Sequence, residues 1–255
     1  MGQIRSQLPD SILNIPWGHN VILVEKVKDH SQREWYARQT IEHGWSRAIL
    51  HHQIESDLYS RQGKAITNFQ GTLPAPQSDL ALEVVKDPYI FDFLGRSSEV
   101  SERQLHTSLL EKLRDFLVEL GIGFAFLGSE YHLEIGDQDF YLDLLFYHTR
   151  LHCYIIIELK VGTFIPEFAG KLNFYLSAAD DLLRDATMDQ PTMGILLCRE
   201  KNRVIAEYAL RDMAKPMAVS TYQLGQTLPP QFQGQLPDTN RLKDLILQST
   251  TGSRG

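Results

Sequence analysis

Two apolar runs, FYLDLLFYH and CYIIIELK, flank the short segment TRLH and dominate the middle of the chain. Their composition of Leu, Ile, Phe and Tyr suits strands, and the spacing predicts an antiparallel hairpin with Thr149 to His152 as the loop. That register sets His148 against Cys153 and Asp143 against Glu158. Directly opposed residues have Cβ atoms about 5 Å apart. Because side chains alternate along a strand, Lys160 joins the face of Glu158. Two carboxylates and an ammonium therefore converge at one end of an otherwise apolar hairpin. Such charges cost several kcal/mol to hold there unless something compensates them, and a divalent cation compensates two carboxylates well.

The pattern on either side predicts an α/β fold. SERQLHTSLLEKLRDFLVELG reads as a helix with a Ser101–Gln104 capping box and Gly121 at its end. A strand run, FAFLGSEYHLEI, precedes the hairpin. PEFAGKLNFYLSAADDLLR follows it as a helix opened by Pro166. MGILLCR and MAVSTYQL are two more strands. The order α-β-β-β-α-β-β describes a mixed sheet with helices on its faces.

Upstream, residues 1–16 read as a loose lead-in broken by Pro9 and Pro16. SQREWYARQTIEHGW has helical spacing through Trp35, Ile41 and Trp45, with Gly44 at its end. Ser46 caps a second helix, RAILHHQIESDLYSRQG, that runs to Gly63. Helix, short turn, helix is the outline of either a plain helical packing module or a helix-turn-helix, and from the latter Arg47, His51, Gln53 and Arg61 would reach DNA. Glu42, Glu55 and Asp57 nearly balance that charge. NFQGTLPAPQSDL, residues 68–80, reads as a connector. The chain thus divides into a small helical unit with its linker (1–95), an α/β unit (96–225) and a Gln-, Pro-, Ser- and Gly-rich tail (226–255), with a short helix near RLKDLIL.

With 255 residues, 43% of them hydrophobic, the chain can bury a core in more than one unit. The formal charge is 25 − 32 = −7, which disfavours indiscriminate coating of nucleic acid and leaves a local groove open. Cys153 and Cys198 sit in apolar strands and read as buried reduced thiols. No apolar run reaches the ~18 residues of a membrane span, and no secretory leader opens the chain. The expected location is the cytoplasm, away from any membrane.

The hairpin chemistry suits phosphodiester hydrolysis, which needs an activated water, a neutralised phosphate and help for the leaving oxygen. Asp143 and Glu158 are the hard oxygen ligands Mg²⁺ prefers, and the Leu159 carbonyl offers a third. Lys160 would stand beside the attacking water and stabilise negative charge in the transition state.

Asp143, fourteen intervening residues, then Glu158-Leu159-Lys160 resembles the active-site signature of the PD-(D/E)XK nuclease superfamily. From about Ser101 to Leu224 the chain is similar to the nuclease domain of the bacterial YhcG-type family. IPWGHNVILVEKVKDHSQREWYARQTIEHGWSRAILHHQI is similar to the end of that family's N-terminal domain. Members usually begin further upstream, so this chain is expected to be short at its N-terminus. The resemblance implies a restriction-endonuclease-like mixed sheet flanked by helices, behind a mainly helical N-terminal domain. It implies metal-dependent cleavage of nucleic acid and no particular substrate; Mg²⁺ or Mn²⁺ is the expected cation, and DNA repair, recombination or defence the expected role. DNA is the expected substrate and RNA the alternative. A second copy of the chain is the expected partner; the aromatic patch around Phe164, Phe168 and Phe174 is either its interface or core. The rival reading is a non-catalytic nucleic-acid-binding or assembly module that keeps the nuclease fold.

Departures from the superfamily pattern sharpen the residue assignments. The Pro that precedes the first Asp is Leu142 here. An acid on the first helix usually completes the site, and at about 100° per residue Glu102 lies within the apolar stripe of Leu105, Leu109, Leu113, Phe116 and Leu120. Glu111 lies opposite, so Glu102 is the expected member. His106, one turn on, stands where relatives carry Glu. Lys171 and Tyr175, one turn apart, resemble the superfamily's Gln-x-x-x-Tyr pair. By that resemblance Lys171 contacts phosphate and Tyr175 orients a site group. Arg150, His152, Lys201, Arg203 and Arg211 are further expected backbone-phosphate contacts.

Overall fold

A computed structural model describes residues 14–94 and 101–224 of the chain. Most of the expected lead-in and the whole tail with its RLKDLIL helix lie outside those residues. Four helices come first: α1 (Trp17–Lys26), α2 (His30–His43), α3 (Arg47–Glu55) and α4 (Leu58–Arg61). Next are β1 (Ile66–Thr67), α5 (Phe69–Thr72), α6 (Ala75–Val84) and β2 (Tyr89–Phe91). The remainder runs α7 (Glu102–Glu111), α8 (Leu113–Leu120), β3 (Phe124–Ile135), β4 (Gln138–His148), β5 (Cys153–Thr163), α9 (Pro166–Leu182), β6 (Met193–Glu200), α10 (Arg203–Leu210) and β7 (Met217–Leu224).

The sheet has seven strands in the order β1-β7-β6-β5-β4-β3, with β2 paired to the far end of β7. The β3–β4 and β4–β5 pairs are antiparallel, while β5–β6 and β6–β7 are parallel. The expected α/β architecture with a mixed central sheet flanked by helices is therefore what the chain forms. Helices cover both faces, so the central strands are apolar on both sides rather than alternating. Ile155, Ile157 and Leu159 of β5 enter one core with Leu105, Leu109, Phe116 and Leu120 of α7 and α8. Ile156 enters the other core with Leu172, Tyr175, Leu176 and Ala179 of α9. A third, smaller core joins α1 to α4 around Leu23, Tyr36, Ala37, Leu50 and Leu58.

Several local expectations are met. His148 pairs with Cys153, and the register continues to Leu144 and Ile157. Ser101 Oγ accepts from the Gln104 amide at 3.2 Å while Gln104 returns a bond to Ser101, a complete capping box. Gly44 closes α2 in the left-handed conformation at φ 58°, ψ 35°, and Ser46 accepts from the Ile49 amide to open α3. Cys153 and Cys198 are buried and free.

Others need correction. The helix expected over 101–121 breaks at Lys112 (φ −111°, ψ 30°) into α7 and α8, and both halves keep their apolar side chains on the same core. The second N-terminal helix stops at Ser56, because Asp57 adopts a left-handed backbone before α4. The buried face of α2 is Tyr36, Ala37 and Thr40, whereas Ile41 is exposed. Residues 68–80 are not a plain connector but hold α5 and α6, since a proline in the first turn of α6 is compatible with a helix start. A helix not anticipated, α10, is opened by Asn202, whose side chain accepts from the Ile205 amide at 3.2 Å. Phe164 belongs to the core rather than to a free surface, while Phe174 is partly exposed. The division at residue 95 stands as a proposal. β1 and β2 precede it, yet both are hydrogen-bonded to β7.

Candidate active site

The strands β4 and β5 diverge just beyond their last ladder pair, Leu144 with Ile157. There the side chains take over the hydrogen bonding. The Leu159 amide donates to Asp143 Oδ2 at 2.9 Å, and the Asp143 amide donates to Glu158 Oε1 at 3.3 Å. Each acid is thus pinned by the backbone of the opposing strand, which fixes both carboxylates with little rotamer freedom.

Lys160 Nζ sits among them. It donates to the Leu159 carbonyl at 2.9 Å and to Glu102 Oε2 at 3.3 Å, and lies 3.7 Å from Glu158 and 3.9 Å from Asp143. The Phe168 ring flanks it at 5.6 Å. From α9, Lys171 Nζ donates to Glu158 Oε2 at 3.2 Å and lies 4.9 Å from the centre of the Tyr175 ring. His106 Nε2 donates to the Asp143 carbonyl at 3.0 Å and so braces the end of β4. All six residues expected to carry the chemistry, Glu102, Asp143, Glu158, Lys160, Lys171 and Tyr175, are brought to this one place.

The electrostatics follow from burial. The Glu158 side chain is only 2% exposed. Burial pushes its carboxyl above the ordinary range and the Asp143 charge pushes further, while Lys171 and Lys160 pull back. Burial works to lower the Lys171 ammonium, but Glu158 and Tyr175 together raise it and the net shift is upward. Among the described residues no three His, Cys, Asp or Glu side chains are grouped so as to hold a metal by themselves. Any cation would therefore rely on Asp143, Glu158 and the Leu159 carbonyl. That donor set fits a hard cation, because one ammonium already collects all three oxygens together with Glu102.

The chain matches the YhcG PDDEXK nuclease domain over residues 82–237, more than half its length. It belongs to the YhcG family. Residues 3–61 of this YhcG-family chain also match the DUF1016 N-terminal domain. A curated protein named "Putative nuclease YhcG", from Escherichia coli (strain K12), is 35% identical over 228 residues. The match takes in 88% of this chain and 57% of that protein, so the chain spans a little over half the length of its relative. Solved structures overlap it less completely. A repair endonuclease from Pyrococcus abyssi is 15% identical over 53% of this chain and 50% of its own, with a TM-score of 0.33. An EndoMS–dsDNA complex is 16% identical over 53% and 50% of the two chains, with a TM-score of 0.34. Overlaps at such TM-scores add nothing specific about this YhcG-family chain.

The residues expected to touch nucleic acid lie apart from the carboxylates and differ in availability. Arg47 is exposed at the start of α3. His51 pairs with Glu55 at 3.3 Å, and Arg150 pairs with Glu42 at 2.8 Å with both side chains partly exposed. Arg61 is a correction. It is buried, bonded to Glu119, Ser56 and Pro88, and is held too firmly to reach a phosphate. Gln53 is also buried, with its amide directed at the Val118 carbonyl. Lys201 is taken by Asp87, and Arg203 by Glu207. Arg211 stacks over Tyr208 at 4.2 Å, and His152 is exposed. Sequence reasoning missed Phe168 beside Lys160 and the brace from His106. The signal for Phe168 was present, since it lies three residues before Lys171 and shares its helix face.

Proposed function

We propose that this chain hydrolyses phosphodiester bonds of DNA with the aid of a divalent cation, Mg²⁺ or Mn²⁺. The observation that carries the reading is the convergence of Glu102, Asp143, Glu158 and the Leu159 carbonyl on the single ammonium of Lys160. Structural ion pairs do not need three acids on one lysine. Two of those acids and the carbonyl are hard oxygen ligands for a cation, and the ammonium beside them can meet a phosphate.

Asp143, Glu158 and the Leu159 carbonyl would hold the cation, which supplies charge neutralisation and a more acidic bound water. The remaining work falls to the chain's own groups. Lys160 sits beside the carboxylates, where it orients the attacking water and stabilises the charge that grows on the phosphate. Glu102 holds Lys160 from the helix side. Lys171 faces the phosphate position from α9, with Tyr175 fixing its direction. Leu142, Ile156 and Leu172 are buried in the core on the α9 side of the sheet. Arg47, His51 and Arg150 are proposed contacts to flanking backbone.

Nucleic acid as the substrate class follows from the family resemblance, and the relative's printed name, a nuclease, agrees with it; DNA rather than RNA is the choice the panel below tests. A role in repair, recombination or defence, and pairing of two copies so that two sites meet two strands, belong to the same proposal. Among the described residues no helix is long and apolar enough to cross a membrane. The test is a cleavage panel of single-stranded, double-stranded and branched DNA and RNA, with and without Mg²⁺. Asp143→Ala, Glu158→Ala and Lys160→Ala should each abolish cutting with the fold intact. Metal-dependent cutting that survives Asp143→Ala defeats the assignment.

A further inference from the structure

Both ammoniums of the site already occupy the oxygens that a divalent cation would need. Lys160 Nζ bonds the Leu159 carbonyl at 2.9 Å and stands within 4 Å of Glu158 and Asp143. Lys171 Nζ bonds the same Glu158 oxygen at 3.2 Å. Glu158 is almost wholly buried, so these two partners, not water, balance its charge. The Lys171 side chain is 45% exposed and sits on a long stem, so it is free to turn toward solvent or a ligand.

Charge counting shows what entry of a cation does. Three carboxylates, Glu102, Asp143 and Glu158, against two ammoniums leave a net of −3 + 2 = −1. A divalent cation brings the cluster to +1 and sets like charges only a few ångströms apart around Glu158, a repulsion that a low-dielectric site magnifies. One phosphodiester carries one negative charge and offers oxygens that both ammoniums can donate to. Two further titratable groups face the site: Tyr175, whose ring centre lies 4.9 Å from Lys171 Nζ, and His106, which already spends a ring nitrogen on the Asp143 carbonyl.

We propose that Lys160 and Lys171 are built-in counter-ions of the empty site, and that a backbone phosphate draws them off the carboxylates as a divalent cation takes their place. This rests on the hydrolase reading above. The consequence is reciprocal coupling: nucleic acid tightens cation binding and the cation tightens nucleic-acid binding by the same factor. Lys171 is the adjustable member, because its removal leaves Glu158 Oε2 with Lys160 alone, at 3.7 Å, without disturbing the strand ends.

The experiment is calorimetric titration of Mn²⁺ into the full chain, alone and with a phosphorothioate duplex that resists cleavage. The Glu158→Ala chain with duplex measures Mn²⁺ taken up by the DNA itself. The duplex should tighten Mn²⁺ binding by about tenfold, within the usual range for coupled sites. Lys171→Gln without duplex should bind Mn²⁺ about tenfold tighter than the natural chain and gain less from the duplex. Equal Mn²⁺ affinity with and without duplex overturns the proposal while leaving the hydrolase reading intact. So does a folded Lys171→Gln chain that binds Mn²⁺ no tighter than the natural one. If Lys171→Gln fails to fold, the comparison on the natural chain decides alone. Absence of Mn²⁺ binding under every condition, with duplex or without, overturns both.

Discussion

Arg61 on α4 donates to Glu119 on α8 across 2.6 Å, and the carboxylate has no exposed surface. The same Glu119 oxygen accepts the Ile90 amide at 2.8 Å. Arg61 also donates to the Pro88 carbonyl and to Ser56, and Lys86 donates to the carbonyls of Glu119 and Leu120. This knot ties the N-terminal helices to the strand β2 and helix α8 of the sheet. Removing one partner strands a buried charge. Arg61→Ala or Glu119→Ala should each cost roughly 3–5 kcal/mol in chemical denaturation. The double change Arg61→Met with Glu119→Leu should cost clearly less than the sum. Single variants within 1 kcal/mol of the natural chain would mean that the pair is solvated.

Gly194 on β6 determines how closely α9 approaches the sheet. A Cβ there would lie 2.7 Å from Leu172 Cδ2 and 2.9 Å from its Cγ. Lys171 is the neighbour of Leu172, and Tyr175 lies one turn on. Gly194→Val should cost about 1–3 kcal/mol and lower cleavage further by displacing the α9 side chains. A thermal melt and a rate measurement on the same sample separate the two effects. An unchanged rate in a destabilised but folded variant would show that α9 position is not limiting.

His148 sets an acid limit on stability. Burial lowers its pKa from 6.5 to about 4. Its Nδ1 accepts the Leu151 amide at 3.1 Å, so the native ring is needed neutral. Below pH 6.5 the unfolded chain takes up a proton that the native chain refuses. This contribution is intact above that value, falls as pH drops and is fully lost near pH 4. That lowering corresponds to roughly 3 kcal/mol. Glu158, with its pKa raised, works in the opposite sense, so the comparison is made against His148→Asn, which keeps an acceptor. That variant should lose about 3 kcal/mol less than the natural chain between pH 7 and pH 4 in urea titrations. Parallel pH profiles would remove His148 from the account.

Glu102 and Glu111 offer a direct choice between two acids on one helix. Glu102 bonds Lys160 and is half exposed. Glu102→Gln should lower cleavage at least tenfold, with stability within about 0.5 kcal/mol of the natural chain. Glu111→Gln should leave cleavage unchanged. The reverse pattern would move the acidic role away from the start of α7.

Local and periodic features of the site were legible in the sequence. The hairpin register follows from two apolar runs around one short loop; its ladder ends at Leu144 and Ile157, and bonds from each acid to the opposing backbone hold Asp143 beside Glu158. The capping box at Ser101 and the proline at the head of α9 have purely local causes, and both stand where the pattern places them. Helical periodicity distinguished Glu102 from Glu111 because each side chain's direction follows from its position in the turn. Arg61 was misread for the opposite reason. Nothing near it in the chain hints at Glu119, 58 residues on.

Residue order therefore determined the strands β3 to β7, the helix α9, the hairpin and the set of acids and bases, since each depends on neighbours a few positions apart. The tertiary structure decided which charges are sealed and which are free. It buried Arg61 and Glu158, and it seated Lys160 among four oxygens drawn from α7, β4 and β5. Desolvation is a property of what packs around a group in space, and chain order alone does not contain it.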